Sequence, residues 1–584
     1  MTYVFNSERG FKDEMIDGLV AAYGRYLRRV PLSAGVVSVA APARGRVSTI
    51  IGGGSGHYPS FAGLVGPGFA DAAVCGNIFT SPSAEQVYRT IRAVDGGAGT
   101  LMMFGNYQGD VMHFGLAADQ AKARDGIDVR IVLVTDDIAS APVDQVSRRR
   151  GIAGDFFVFR AAAAAAHRGD SLDDVERIAR TTNDVTRTIG VAFDGCTVPG
   201  RTEPLFTVPD GSMELGLGIH GEPGILTVPR TGATELAGML TERLLAERPA
   251  GADRARILVN GLGRVKYEEL FILYLSIAAE LARAGVRLTE PEVGEFVTSL
   301  DMAGCSVTLV WTDDELEQLL STPVATPGYI RPGAVAGLEQ PAPDLGIHAE
   351  EIGRERAEVS EDDLTDGGRI ARQVLVAIAT RLQELETHLG DLDAVAADGD
   401  HGTTMTRGMD AAVAAGRTAG PDAAAVLTTA GMAFADAAGG ASGALWGIGL
   451  TTIAGVIADS GVDCPDATTF ARAFDAVLHA VMRLGGSSPG EKTMVDALDP
   501  FVRTFGQAAA RGDDLAGAWR QAAAAAAAAA RATADIPARR GRASWLSERS
   551  VGTEDPGAVS LSAALAAAAD VIAARSEAIA GSSS

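Results

Sequence analysis

Three short segments in the first half of the chain carry side chains that could bind a ligand or act as nucleophile or base. In Ile50-Ile-Gly-Gly-Gly-Ser-Gly-His57, glycines flank Ser55 and His57. Such glycines leave backbone amides bare, and bare amides bind ligand oxygens; a plain tight turn has the same composition. The run is not G-x-G-x-x-G, and no Gly-Lys-Ser/Thr follows, so neither the dinucleotide fingerprint nor the P-loop applies. In Phe104-Gly-Asn-Tyr-Gln-Gly-Asp110 a carboxylate stands just past an expected strand, where α/β sheets bind ligands. It is equally placed to cap the next helix. In Met213-Glu-Leu-Gly-Leu-Gly-Ile-His220-Gly-Glu-Pro-Gly a histidine is framed by glycines. A rigidly held neutral imidazole can act as nucleophile or base, although a lone histidine is more often structural.

The second half offers different chemistry. Leu392-Asp393-Ala-Val-Ala-Ala-Asp398-Gly399-Asp400-His401 places three carboxylates within eight residues. They repel one another unless a cation sits among them, and oxygen-only ligands favour magnesium or calcium. No D-x-D-x-D-G frame exists, which excludes an EF-hand; a solvated turn with capping aspartates is the bland alternative. Ala438-Gly-Gly-Ala441-Ser442-Gly443 and Gly485-Gly-Ser-Ser-Pro-Gly-Glu-Lys492-Thr493-Met494 are glycine-rich loops between expected helices. The second misses the P-loop pattern by the insertion of Glu491, yet helix N-termini behind such loops can hold phosphate. Gly541-Arg542 and Asp555-Pro556-Gly557 add a cation and a turn.

These residues need elements to hold them. Residues 1–335 alternate apolar β-branched runs with helical patterns. Strands are expected at Val47–Ile51, Thr100–Phe104, Val129–Thr135, Ala255–Asn260 and Ser306–Trp311, and a helix over Tyr267–Ala284. This predicts a two-lobed α/β domain. Residues 336–365, rich in Pro, Gly and acids, read as a linker. From 366 to 584 strand signals vanish, and nine alanines, Ala522 to Ala530, sit in helix-forming sequence. A second, all-helical domain follows.

The chain has 584 residues, with 74 acids against 50 bases, a net charge of −24. Such a surface repels a phosphate backbone, so nucleic acid is not an expected partner. Cys75, Cys196, Cys305 and Cys464 show no C-x-x-C spacing, which fits a reducing, cytoplasmic setting, and no signal peptide is read at the start. Ala437–Ala458 carries no charge over 22 residues but holds six glycines. A buried helix behind a glycine-rich loop is expected there rather than a membrane span.

The GGGSGH run at 52–57, AAVCGNIFTSPS at 72–83, NYQGD at 106–110, HGEPG at 220–224 and TSLDMAGC at 298–305 together resemble the substrate-binding domain of dihydroxyacetone kinases. The resemblance implies that His220 forms a covalent hemiaminal with a substrate ketone. It implies that Asp110 accepts the proton of the hydroxyl to be phosphorylated and that His57 hydrogen-bonds the substrate. Gly54, Ser55, Gly56 and Ser81 would line the pocket. The second half is similar to the helical-barrel nucleotide domain of that family. The similarity implies ATP and magnesium, with Asp393, Asp398 and Asp400 holding two ions. The nucleotide would contact Asp398, Gly399, Asp400, His401, Ala441, Ser442, Gly485, Thr493, Met494, Asp555, Pro556 and Gly557, with Arg542 close by. It also implies a homodimer.

Two departures mark this chain. Gly105 stands where many members carry lysine, and Gly-His57-Tyr58-Pro59 replaces Gly-His-Glu-Pro. Loss of a lysine side chain is expected to make space for a ketose larger than dihydroxyacetone, such as erythrulose. The resulting expectation is an ATP-dependent kinase of a short-chain ketose. The alternatives are a ketose-sensing regulator, disfavoured by the aspartate triplet, and a kinase of another acceptor such as a fatty acid, disfavoured by the glycine-framed His220.

Overall fold

The computed structural model describes residues 3–333, 358–540 and 547–582. The chain divides into two compact units, Met1–Ala342 and Pro343–Ser584.

The first unit is built on two sheets. One has six strands: β1 (Leu27–Arg29), β2 (Gly35–Ser38), β3 (Ser48–Ser55), β4 (Ala72–Ile78), β5 (Thr100–Gly105) and β6 (Val129–Val134), in the order β1-β2-β4-β3-β5-β6. Strands β4, β3, β5 and β6 run parallel. All eight residues of β3 are buried, as its glycine and β-branched run requires of a central strand. Helix α1 (Gln108–Asp125) follows β5, and α2 (Asp155–Arg168) follows β6.

The second sheet has seven strands: β7 (Thr186–Asp194), β8 (Ser212–Leu215), β9 (Leu226–Pro229), β10 (Arg254–Gly261), β11 (Arg287–Leu288), β12 (Glu292–Gly294) and β13 (Ala303–Trp311). Helix α3 (Tyr267–Arg283) covers it through Leu270, Leu273, Ile277 and Leu281. The five expected strands and the expected helix all form, with ends shifted by a few residues.

No strand occurs among the described residues of the second unit. Its helices are α4 (Asp366–Glu384), α5 (Glu386–Ala394), α6 (His401–Arg417), α7 (Ala423–Ala438), α8 (Gly440–Ser460), α9 (Ala467–Gly485), α10 (Val495–Arg511), α11 (Leu515–Ala532) and α12 (Pro556–Ser582). Side chains cap five of them: Thr365, Asp422, Asp466, Asp514 and Asp555 each accept a first-turn amide. Leaving aside the short α5, each helix packs on the next and α12 packs back on α4, closing a barrel. The expected linker lies largely on residues outside those described. The alanine run is regular helix within α11, its Ala522, Ala523, Ala526 and Ala530 buried.

The barrel encloses an apolar cavity of about 370 Å³. This cavity explains the uncharged stretch at α8. Leu445, Trp446, Leu450, Ile453 and Ile457 of that helix line it. The helix is less buried by packing than expected: 28% of its apolar window is buried, and one face looks into the cavity. By length and composition alone, α8 and Pro556–Arg575 are long and apolar enough to cross a bilayer.

Candidate active site

In the first unit the site forms at the carboxyl ends of the adjacent parallel strands β4, β3 and β5, the usual binding edge of such sheets. β3 delivers Gly54, Ser55, Gly56 and His57. β4 leads into Phe79 and Ser81, and β5 into Tyr107 and Asp110. Two glycines are obligatory here. A Cβ at Gly54 would sit 2.7–2.9 Å from the Phe79–Thr80 backbone, and Gly56 has φ +105°. The Ser55 hydroxyl donates to the Gly76 carbonyl at 2.6 Å, tying β3 to β4.

His220 arrives from the second sheet, on the loop after β8. The segment before β13 locks it in place. Ser299 Oγ donates to the Ile219 carbonyl at 2.5 Å, the Leu300 amide to Gly56 O at 2.9 Å, and Thr298 Oγ1 to Tyr58 O at 2.8 Å. The rings of Phe79, Tyr107 and His57 surround the His220 imidazole at centroid distances of 5.3, 4.7 and 4.9 Å.

The hydrogen bonds decide where the protons are. His57 Nδ1 lies 2.7 Å from the Thr298 carbonyl, which only accepts, so Nδ1 carries hydrogen. His220 Nδ1 lies 3.0 Å from Glu222 Oε1. Burial alone would raise the Glu222 carboxyl, but the His220 hydrogen bond and Arg150 outweigh it and hold it at about 2. An ionised carboxylate only accepts, so His220 Nδ1 also carries hydrogen. The two Nε2 atoms then face each other at 3.0 Å. Two bare lone pairs repel at that distance, so one proton lies between them. Burial and the neighbouring His220 push His57 down to about 3, making His57 the acceptor of that proton.

Asp110 stands in the first turn of α1 and is 7% exposed. Burial raises its carboxyl to about 6, against the opposing Ser81 hydrogen bond and His220. Its Oδ1 is buried without a partner among the described residues. A carboxylate poised near neutral with a free acceptor oxygen suits a general base. Thus His57, His220, Asp110, Ser81 and the β3 glycines are brought together. Glu222, Phe79 and Tyr107 were not singled out from sequence; a carboxylate two residues after a glycine-framed histidine was the available signal for Glu222.

The space expected above Gly105 is not open. A Cβ there would meet the Gly151 carbonyl and the Tyr107 ring, each at 3.0 Å. The Tyr107 ring fills the place and packs on His220.

In the second unit a polar cleft of about 490 Å³ collects most of the expected residues. Asp393, Asp398, Asp400, His401, Ala441, Ser442, Gly485, Thr493, Met494, Asp555, Pro556 and Gly557 all line it. Gly399, at φ +78°, turns the chain back, and its amide donates to Asp393 Oδ2 at 2.9 Å. One carboxylate oxygen from each of Asp393, Asp398 and Asp400 lies within 4.8 Å of the others, a donor set that suits a hard divalent cation. Gly439 and Gly440, both left-handed, open the N-terminus of α8 to the cleft. Arg407, not anticipated, spans the end of α7 by donating to the carbonyls of Ala437 and Ala438 and also lines the cleft, as does Arg540. Arg542 lies outside the described residues.

Two residues of the cleft are turned inward. His401 spends Nε2 on Ser560 of α12 at 2.9 Å. Lys492, of the near-P-loop, donates to the carbonyls of Thr533, Ile536, Ser550 and Thr553 at 2.9, 3.2, 2.6 and 2.6 Å. Its ammonium staples the loop that leads to Asp555. Asp555 caps α12 through the Ala558 amide at 2.7 Å, and burial pushes it up to about 7.

Comparison with known proteins agrees with both halves. A Dak1 domain matches residues 17–328 and a DAK2 domain residues 395–570. The D-erythrulose kinase of Mycolicibacterium smegmatis is 46% identical, covering 98% of this chain and 99% of its own. The L-erythrulose 1-kinase of the same organism is 48% identical, covering 96% and 98%. The crystal structure of the C. freundii dihydroxyacetone kinase with AMP-PNP and Mg2+ superposes with a TM-score of 0.59 at 29% identity, covering 97% of this chain and 99% of that one. With both domains present in order along the whole length, the chain belongs to the two-domain dihydroxyacetone kinase family.

Proposed function

We propose that this protein is an ATP-dependent kinase that phosphorylates a terminal hydroxyl of a short-chain ketose, with erythrulose preferred, held as a hemiaminal on His220. The observation that carries this reading is the His220–His57 pair beside Asp110. A three- or four-carbon ketose offers few contacts, so a reversible covalent bond adds affinity that atom count cannot. It also rejects glycerol, which has no carbonyl.

The proton arrangement supports the step. His220 Nε2 passes its proton to His57 Nε2 and attacks the ketone carbon. The π pair moves to oxygen, and His57 returns the proton there. The adduct forms without a proton from solvent. Asp110 then accepts the proton of the terminal hydroxyl as that oxygen attacks phosphorus. In the helical unit, Asp393, Asp398 and Asp400 would hold magnesium, and the α8 N-terminus with Arg407 would face the phosphates. Magnesium bound there would neutralise charge on the phosphates of ATP. The erythrulose preference is supported by the two erythrulose kinases at 46% and 48% identity and by the uncharged wall that Gly105 and Tyr107 make where many members carry lysine. A homodimeric, cytoplasmic enzyme completes the reading; all four cysteines are free thiols.

ADP release measured with D-erythrulose, L-erythrulose, dihydroxyacetone and glycerol tests the reading. One erythrulose enantiomer should give the highest kcat/KM, with none for glycerol. A clear preference for dihydroxyacetone removes the four-carbon assignment, and absence of ketose-dependent ADP release removes the kinase.

A further inference from the structure

Beyond the histidine pair and Asp110 lies a chain of charges that the proposed reaction has not used. Glu222 grips His220 twice: Oε1 meets Nδ1 at 3.0 Å, and Oε2 accepts the His220 backbone amide at 3.0 Å. Arg150 approaches Glu222 Oε2 at 3.7 Å, and its Nε donates to Asp137 Oδ2 at 2.9 Å. Asp137 is 1% exposed and takes the Ala139 amide at 3.0 Å, so the far end of the chain is fixed in the fold. The loop is shaped for this contact. Gly218 closes the turn by donating to the Glu222 carbonyl at 3.0 Å, and a Cβ at 218 would sit 2.1 Å from Glu222 Oε2 and 2.7 Å from Arg150 Nη1. Any other residue at 218 would push carboxylate and guanidinium away from His220.

With hydrogen on both nitrogens His220 can give up either one, and only the nitrogen that has lost its hydrogen can bond to carbon. Without a partner on Nδ1 it would give up the wrong one, because an Nε2–H can donate to the His57 Nε2 that faces it. We propose that Glu222, braced by Arg150 on Asp137, is the positioning residue of the His220 nucleophile: it retains hydrogen on Nδ1 and so reserves Nε2 for the ketose carbon. The proposal rests on the hemiaminal reading. When Nε2 bonds to the carbonyl carbon, the π pair goes to oxygen together with the proton relayed by His57. The Nδ1 hydrogen stays between ring and carboxylate, whose negative charge balances the positive charge the ring holds.

The test is binding of a [2-13C]-labelled erythrulose to the full-length enzyme, followed by carbon NMR and calorimetry. In the wild type the bound carbon should move from the carbonyl to the tetrahedral region. Glu222→Gln keeps the shape but lets the amide donate to Nδ1, which frees the other tautomer. Its ketose dissociation constant should rise about tenfold to a hundredfold, with the tetrahedral signal lost at concentrations that saturate the wild type. Glu222→Asp should recover part of both, and nucleotide binding should be unchanged in each. A Glu222→Gln protein that binds as tightly as the wild type and shows the tetrahedral carbon overturns the proposal while leaving the hemiaminal intact. A wild-type spectrum without tetrahedral carbon overturns the hemiaminal itself and the proposal with it. Should Glu222→Gln fail to fold, Arg150→Met loosens the brace and should weaken ketose binding about twofold to fivefold; unaltered binding in that variant would equally refute the positioning role.

Discussion

Asp110 joins activity and stability in opposite senses, and replacing it by asparagine separates them. Burial lifts its carboxyl from the ordinary 3.8 to about 6, with Ser81 and His220 opposing the rise. The folded protein therefore binds this proton more tightly than the unfolded chain does. For an acid shifted upward, the contribution to stability is full below the unfolded value and is lost as pH rises through the folded one. Between those limits the difference corresponds to about 3 kcal/mol, at 1.36 kcal/mol for each tenfold change. At pH 7.5 the ionised Asp110 is thus a burden to the fold, and Asp110→Asn, neutral at all pH, should stabilise the α/β unit by up to that amount. The same change removes the proposed general base, a role worth about a hundredfold to ten-thousandfold in rate. The two effects are read from one protein preparation. Urea unfolding of the α/β unit should shift to a higher midpoint in the variant, and the shift should vanish near pH 4. The kcat for the preferred ketose should fall at least a hundredfold with KM within a few-fold. The wild-type kcat should decline about tenfold per pH interval below 6. An Asp110→Asn protein that is less stable at pH 7.5, or that turns over at a wild-type rate, refutes the assignment.

Three other perturbations read other parts of the molecule. Asp398→Ala should weaken magnesium-dependent nucleotide binding at least tenfold by calorimetry while leaving ketose binding unchanged; full nucleotide affinity would exclude the aspartate triplet from the metal site. Lys492→Met leaves four carbonyls without their shared donor and should lower the stability of the helical unit by about 2–4 kcal/mol. Lost nucleotide affinity at unchanged stability would instead place that lysine on phosphate. Gly105→Lys must displace the Tyr107 ring from His220, since a Cβ alone comes within 3.0 Å of it. The ratio of kcat/KM for erythrulose over dihydroxyacetone should then fall about tenfold or more, and an unchanged ratio would detach substrate choice from this wall.

Much of the fold was legible because its signals are local. The apolar runs at 48–51, 100–104 and 129–134 have one secondary-structure solution when both faces are buried, and the 522–530 alanines have one when flanked by helix formers. His57, Asp110 and His220 were legible as candidates because glycine spacing exposes them. Their meeting was not legible. It depends on Ser299 and Thr298, far along the chain, hydrogen-bonding to residues 219 and 58. The role of Lys492 was hidden for the same reason: a lysine beside glycines reads as a phosphate ligand until its four carbonyl partners, all from 533 to 553, are in place. At Gly105 the sequence suggested a void, because a missing side chain counts as space only when no neighbour moves in, and Tyr107 lies two residues away on the same turn.

The glycines explain why this chemistry is compatible with a buried site. Burying ionisable groups is costly unless each is hydrogen-bonded at close range. Here, a Cβ at 218 would hold Glu222 and Arg150 apart, and one at 54 would drive β3 from the Phe79–Thr80 backbone that shapes the pocket. With both absent, carboxylate, guanidinium and imidazole come within reach of one another. Asp110 Oδ1, the atom proposed to meet the hydroxyl, is buried without a partner among the described residues. A side chain introduced at either glycine should therefore affect ketose binding before it affects the helical unit. Gly218→Ala is the sharper case, because the clash falls on the Glu222 carboxylate itself.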